Sequence, residues 1–317
     1  MNPHRGPVNV AASVRARLFN LSRQRRLEFQ LILSEFSIER LLYRLGVSGH
    51  SDRFILKGAM LFKLWSGDRH RATWDLDLLG YGENTIENVV SVIRDLCAIE
   101  AEDGILFDAD SVRGEEIRAA DEYAGVRIRF NARLAEARIP MQVDVGFGDI
   151  VAPAPILEIY PTLLDHTPPR ILVYPREAVV AEKLEAMITL GVTNSRMKDF
   201  YDIHVIASSF EFDGRILADT VRKTFQWRNI PFPETEPLVL TRPFLEAPER
   251  RTLWQAFLRR GRLDATPDAG ELADSLRRFL WPVIQAAARS EPFPKIWPPG
   301  GPWRPKPQVQ ERSKDDA

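Results

Sequence analysis

Two aspartates separated by a single residue are the strongest candidates for chemistry in this 317-residue sequence. Asp75 and Asp77 lie in the segment 74–79, whose alternation of polar and apolar residues predicts a half-buried strand. Because alternate side chains of a strand share a face, the two carboxylates are expected side by side. Such carboxylates repel unless a cation lies between them, and Mg²⁺ (or Mn²⁺) favours hard oxygen ligands together with substrate phosphates. The spacing predicts a divalent-metal site that holds a nucleoside triphosphate.

A third carboxylate is predicted from the strand pattern of residues 139–147, where Asp144 lies on the polar side. If this strand neighbours the one that carries Asp75, three carboxylates meet. That arrangement suits two metals roughly 3.5–4 Å apart and in-line attack at phosphorus. A D-x-D sequence alone is more often a solvated strand edge, so the prediction depends on what surrounds it.

The surroundings include a glycine turn. Lys57 and Gly58 lie between a short apolar strand and the helical segment 59–65. Glycine lets the backbone approach a phosphate, and a new helix offers free N–H groups. Arg71 and Thr73, just before the aspartates, are expected to contact the same phosphates. The order of strand, glycine turn, helix and D-x-D strand predicts a triphosphate site.

Two later helices carry weaker candidates. Lys183 flanks the apolar face of a helix near 175–190 and is either a surface lysine or a cation for the β- and γ-phosphates. Lys198 is a further candidate for nucleotide binding, although its spacing from Asp202 equally suits an ion pair on the helix surface. Asp199 lies near the start of that helix, where the helix dipole favours a carboxylate.

Composition excludes several classes of protein. The chain is 44% hydrophobic and 27% charged with a net charge of -1, so a nucleic-acid surface would have to be a local basic patch. Cys97 is the only cysteine, which rules out an internal disulfide and fits a reducing, cytoplasmic setting. We expect no membrane span and no secretory signal, since the chain has no long apolar run. One candidate RNA-facing surface combines Arg15, Arg17, Arg23, Arg25 and Arg26 with Arg127, Arg129 and Arg133, and a second consists of Arg250, Arg251, Arg259, Arg260 and Arg262. For both, a solvated basic face is the alternative.

The predicted fold class is α+β, a mixed α/β core between helical segments. Strands are expected at 105–112, 126–134 and 139–147, the last beginning at Pro140 because proline cannot donate to a sheet. The expected organisation is a helical N-terminal arm over 1–50, a core over 51–205, a helical C-terminal lobe over 206–290 and a proline-rich, disordered tail over 291–317.

Several blocks of sequence together resemble one family. They are RFILKGAML (53–61), RATWDLDL (71–78), IERLLYRL (38–45), AEKLEA (181–186) and RMKDFYDI (196–203). This ordered set resembles the AbiEii-type nucleotidyltransferase toxins over roughly residues 10–260. The resemblance implies a DNA-polymerase-β-like core and a place in type IV toxin–antitoxin or abortive-infection (phage-defence) systems, with a cognate antitoxin. Some members of the family add nucleotides to the 3′ acceptor end of transfer RNA and so block translation.

The resemblance also implies roles for particular residues. The family's metal aspartates would correspond to Asp75 and Asp77, its motif lysine to Lys183, and its later carboxylate to Asp199 or Asp202. Lys57 and Gly58 would form the turn near the phosphates. One departure is Ala59, since the wider superfamily has serine after this glycine and so offers a hydroxyl. The resemblance does not assign Asp144; without it, Asp199 becomes the candidate base.

The alternatives differ in acceptor or in chemistry. The same transfer onto a protein or small molecule, or triphosphate binding without turnover, would use the same residues. A glycosyltransferase also uses D-x-D with a metal-bound nucleotide, but the strand–glycine–helix–strand order disfavours it.

Overall fold

A computed structural model of the chain describes residues 9–66, 73–117, 125–261, 263 and 267–306. It divides into two compact units, one comprising Met1–Asp149 and Ala154–Tyr174, the other Ile150–Pro153 and Pro175–Ala317. The expected boundary between core and lobe lay about thirty residues later, at 205/206. Arg71 and Arg262 lie outside the described residues.

The first unit is built on a seven-stranded mixed sheet with strand order β3-β4-β5-β2-β1-β7-β6. Strands β2 and β5 are parallel, as are β1 and β7, and the other neighbours are antiparallel. The strands are β1 (Phe54–Lys57), β2 (Asp75–Gly80), β3 (Ile105–Ile117), β4 (Gly125–Leu134), β5 (Ala137–Phe147), β6 (Ile156–Ile159) and β7 (Arg170–Val173).

Helices of the first unit bury one face of this sheet. They are α1 (Val10–Arg25), α2 (Phe29–Val47), α3 (Met60–Ser66) and α4 (Ile86–Ala98). A Cβ added to Gly114 of β3 would lie 2.5 Å from Ile86 of α4, which shows the side of the sheet that α4 covers. Two buried arginines of α2 share one carboxylate, since Arg40 and Arg44 donate to Asp103 over 2.9 and 2.7 Å.

The second unit is helical with one small sheet. Its helices are α5 (Arg176–Leu190), α6 (Met197–Ser209), α7 (Gly214–Trp227), α8 (Arg242–Leu245), α9 (Pro248–Gly261) and α10 (Ala269–Arg289). Short 3-10 turns lie at Gly191–Thr193 and Leu238–Leu240. Strands β8 (Phe212–Asp213), β9 (Lys295–Trp297) and β10 (Arg304–Pro305) form the antiparallel order β10-β9-β8.

Two local expectations differ from the structure. Strand β5 begins at Ala137, before Pro140, because it pairs with β4 from Ala137 onwards. The proline is tolerated since the pairing with β2 starts only at Gln142, which leaves the side of the strand towards β2 unpaired at Pro140. Residues 291–306 are ordered rather than disordered, since β9 and β10 lie there and the Trp297 side chain donates to the Ala207 carbonyl over 2.7 Å. The predicted mixed α/β fold is confirmed.

Candidate active site

Asp75 and Asp77 share one face of β2, as the alternation predicted. Both side chains are partly exposed, while Leu76 and Leu78 between and after them are buried on the opposite face. In the sheet, Asp77 lies directly beside Asp144 of β5 and beside Lys57 of β1. The condition set for a third carboxylate, that the strands of Asp75 and Asp144 are neighbours, is therefore met.

Gly58 is seated against the Asp77 carboxylate. Its backbone has a φ of +75°, a conformation that side-chain-bearing residues rarely adopt. A Cβ at this position would lie 2.1 Å from Asp77 Oδ2, far inside any normal contact. The turn between β1 and α3 therefore approaches the carboxylate more closely than a side-chain-bearing residue would allow; the predicted approach to a phosphate stays a prediction.

Lys57 reaches across the same face towards the end of β5. Its Nζ lies 3.3 Å from Asp149 Oδ2, just after that strand. The side chain of Lys57 passes over Gly146, which has no side chain of its own. A Cβ at Gly146 would lie only 3.3 Å from Lys57 Nζ. Sequence reasoning missed Asp149; its only signal was its position directly after a strong strand pattern.

Asp144 is bound by a neighbouring arginine. Arg127 Nε and Nη2 donate to Asp144 Oδ1 and Oδ2 over 2.8 and 2.7 Å, a bidentate fork. Hydrogen bonding to Asp144, with added attraction from Asp75, raises the pKa of Arg127, which is therefore charged at any physiological pH. Asp144 thus lies where the sequence predicted, but both of its oxygens accept from Arg127.

The donor set fits a divalent ion held by two carboxylates. Asp75 and Asp77 offer hard oxygens on one face, beside a turn where the backbone comes close. In the described part of the chain, no three Asp, Glu, His or Cys side chains are grouped to hold a metal. Substrate phosphates would complete the coordination, as is usual for Mg²⁺.

Thr73 lies two residues before β2. Its hydroxyl donates to the Asp75 carbonyl over 3.3 Å, so it fixes the backbone next to the first aspartate. Arg71, predicted to contact the same phosphates, is not among the described residues.

In the second unit, Lys183 of α5 is held by two carboxylates of α6. Its Nζ lies 2.7 Å from Asp199 Oδ1 and 2.8 Å from Asp202 Oδ2, and both aspartates are fully buried. Burial alone would lower the pKa of Lys183, but the charges of Asp202 and Asp199 outweigh it and raise the pKa. Arg196 lies 2.7 Å from the other oxygen of Asp199. Lys198 is exposed on the same helix.

Comparison with known proteins places the chain in a class. The sequence matches the family model for the nucleotidyl transferase AbiEii toxin of type IV toxin–antitoxin systems over residues 40–283. The chain is therefore a nucleotidyltransferase. It belongs to the AbiEii toxin family, which confirms the resemblance and implies a nucleoside triphosphate substrate and a cognate antitoxin.

Two solved structures from Helicobacter pylori are similar to this chain. One is a proposed nucleotidyltransferase, with 17% identity and a TM-score of 0.46 over 83% of this chain and 97% of that one. The other is JHP933, with 16% identity and a TM-score of 0.46 over 83% and 94% of the two chains. No curated protein matches the sequence. None of the helices described here is long and apolar enough to cross a membrane.

Proposed function

We propose that this chain is a metal-dependent nucleotidyltransferase toxin that transfers a nucleotide from a nucleoside triphosphate to an RNA hydroxyl. The observation that carries the proposal is the Gly58 turn packed onto Asp77, with Asp75 on the same face of the sheet. A backbone approach beside paired carboxylates suits a metal-bound triphosphate, and it also explains why glycine stands at this position.

The residues have separate roles. Asp75 and Asp77 would hold Mg²⁺ (or Mn²⁺), which when bound neutralises the charge of the triphosphate. Lys57 contributes a positive charge on the same face, and Gly58 lets the backbone reach the phosphates. The acceptor hydroxyl loses its proton to water and forms a bond to the α-phosphorus, while the bond from that phosphorus to the bridging β-phosphate oxygen breaks and pyrophosphate leaves. Catalysis of this kind depends on positioning and charge neutralisation.

Family resemblance supports roles for Lys183 and Asp199 in the same reaction. The resemblance proposes Lys183 as a phosphate contact; within the second unit its ammonium lies 2.7 Å from Asp199 and 2.8 Å from Asp202. Asp199 has one oxygen beside Lys183 and the other beside Arg196, so it serves better as a positioning residue than as a base. Lys198, exposed on α6, and Arg71 and Thr73 stay proposed contacts of the nucleotide.

The 3′ end of transfer RNA is the proposed acceptor, on the strength of the family resemblance. Modification of that end would block translation and so account for toxicity and for the need of an antitoxin. A role in phage defence is part of the same proposal.

A transfer assay tests the proposal. Purified protein, Mg²⁺, each α-labelled triphosphate in turn and total transfer RNA are incubated with wild-type protein, Asp75→Ala, Asp77→Ala and the control Asp110→Asn. Asp110 is an exposed carboxylate of β3. We expect label on RNA with wild type and control and none with the two alanine variants. Full activity in either alanine variant would contradict the proposed metal site. Label that stays on protein after ribonuclease treatment would show that the acceptor is a protein and not an RNA.

A further inference from the structure

Five arginines occupy the face of the sheet that α4 does not cover. Gly114 of β3 points towards α4, so its neighbours Arg113 and Glu115 point to the opposite side. Residues that are register partners on neighbouring strands lie on the same face, so the register places arginines of β4 and β5 on that side as well. The group, here named the arginine face, consists of Arg113, Arg127, Arg129, Arg133 and Arg138.

Within the arginine face, like charges lie directly opposite each other. Arg113 of β3 is the register partner of Arg129 of β4, and Arg133 of β4 is the register partner of Arg138 of β5. Such pairs destabilise a sheet. Glu115 pairs with Arg129 and Asp144 with Arg127, while Arg138 donates to the neutral Asn131, so the five arginines outnumber the carboxylates paired with them. An arrangement that costs stability without a ligand is suited to binding a polyanion.

The arginine face is continuous with the candidate active site. One row across the sheet runs from Asp75 through Gln142 to Arg129, and the next runs from Asp77 through Asp144 to Arg127. Since neighbouring strands lie about 4.8 Å apart, Arg129 starts roughly 10 Å from Asp75. A hollow of about 410 Å³ lies on this part of the sheet, and Arg113, Arg127, Arg129 and Asn131 line it.

We propose that the arginine face binds the phosphate backbone of the RNA acceptor strand and leads its end to Asp75 and Asp77. The inference rests on the proposed function and adds to it the path of the acceptor. Alternate arginines along β4 lie about 6.7 Å apart, close to the separation of phosphates in an extended strand. The described side chains on this path are polar or charged, with Asp144 and Glu115 each paired to an arginine, and none of the arginine face or of Asn131 and Gln142 is aromatic, which suits phosphate contact more than base stacking.

Phosphate contact through arginine has a measurable signature. Binding should depend little on base sequence and should weaken steeply with salt. For a single strand, a plot of the logarithm of the binding constant against the logarithm of the salt concentration should steepen by about 0.7 for each phosphate neutralised. Arg127 is excluded from the test because it holds Asp144, so changes there would disturb the catalytic face as well.

The experiment compares wild type with the triple variant Arg129→Gln, Arg133→Gln, Arg138→Gln and with a matched triple variant in α9. The matched variant, Arg251→Gln, Arg259→Gln, Arg260→Gln, removes the same charge from exposed arginines of the second unit. Fluorescence anisotropy with a short single-stranded RNA is recorded over a salt series, and Mg²⁺-dependent triphosphate binding is recorded separately. Circular dichroism checks that each variant is folded.

We expect the variant Arg129→Gln, Arg133→Gln, Arg138→Gln, the sheet variant, to bind RNA at least about tenfold more weakly at low salt. The slope of its binding constant against salt, on logarithmic axes, should be shallower than that of wild type by about 2. Its triphosphate affinity and the RNA affinity of the α9 variant should stay unchanged. Equal RNA binding by the sheet variant, a loss only in the α9 variant, or no RNA binding by wild type would each overturn the inference. RNA binding is measured without turnover. Absence of nucleotide transfer would therefore count against the proposed function but would not change the conclusion about RNA binding by the arginine face.

Discussion

At the scale of single residues, Gly58 is the position where backbone conformation and the candidate site depend on each other. Replacement by alanine puts a Cβ 2.1 Å from Asp77 Oδ2 and forces a φ of +75° on a residue that disfavours it. We expect Gly58→Ala to lose about 1–3 kcal/mol of stability and most transferase activity, because the Asp77 carboxylate must move. Thermal unfolding and the transfer assay measure the two effects.

Gly49→Ala is the matched control for that prediction. No heavy atom lies within 4 Å of a Cβ at Gly49, so the substitution should change stability by less than about 1 kcal/mol and leave activity intact. Equal behaviour of the two variants would mean that the approach of Gly58 to Asp77 has no functional importance.

A buried carboxyl gives the first unit a dependence on pH. Glu39 of α2 is fully buried, and its Oε2 accepts from the Leu163 N–H over 2.6 Å. Burial raises the pKa of Glu39 to about 7, against the opposing pull of Lys63. The folded state therefore binds this proton more tightly than the unfolded state. Stability from this group is complete below about pH 4.5 and declines by about 3 kcal/mol as the pH rises towards 7.

Glu39→Gln should abolish that decline, since glutamine keeps the shape of the neutral carboxyl. We expect the melting temperature of Glu39→Gln, relative to wild type, to rise steadily between pH 5 and pH 7. Glu87→Gln, at an exposed position in the first turn of α4, should keep a constant difference from wild type. A constant difference for Glu39→Gln as well would contradict the assignment.

At the scale of elements, sequence predicts what depends on local alternation and misses what depends on pairing. The strands of Asp75 and Asp144, and the glycine between β1 and α3, follow from neighbouring residues and are confirmed. The fork between Arg127 and Asp144 joins two strands whose register no local pattern encodes. Asp149 escaped prediction for the same reason, because its partner Lys57 lies 92 residues away.

The contact between α5 and α6 shows this limit and carries a prediction. Lys183 was equally compatible with an exposed helix face, yet it forms ion pairs with two buried carboxylates. Lys183→Met leaves Asp199 and Asp202 without that charge and should cost about 3–5 kcal/mol, seen as a lower midpoint in urea unfolding. A further Asp202→Asn substitution should recover part of the loss, because one uncompensated charge is removed.

Lys223→Met supplies the comparison for α5 and α6. Lys223 lies 2.8 Å from Asp219 but is 45% exposed, so its loss should cost less than about 0.5 kcal/mol. If Lys183→Met were as mild as Lys223→Met, the buried ion cluster would not stabilise the second unit.

At the scale of the whole molecule, the division into two units was the least predictable feature. The helical pattern of residues 175–190 gave no reason to separate α5 from the strands before it, because the boundary depends on which elements contact one another. Composition likewise did not predict the basic surface. The net charge of -1 is a sum over the whole chain, so the five arginines of the arginine face are offset by carboxylates at other positions.

Ligand binding to the native state gives a test of the metal site on the whole molecule. A ligand present at 100 times its Kd stabilises the folded protein by about 2.7 kcal/mol, which raises the melting temperature by a few degrees for a domain of this size. We expect this rise for wild type only when a triphosphate and Mg²⁺ are both present, and its loss in Asp75→Asn and Asp77→Asn. Asp110→Asn, which removes an exposed carboxylate from β3 of the same unit, should keep the full rise. A rise that persisted in both active-site variants, or that appeared without Mg²⁺, would contradict the proposal that the paired aspartates of β2 link triphosphate binding to a divalent ion.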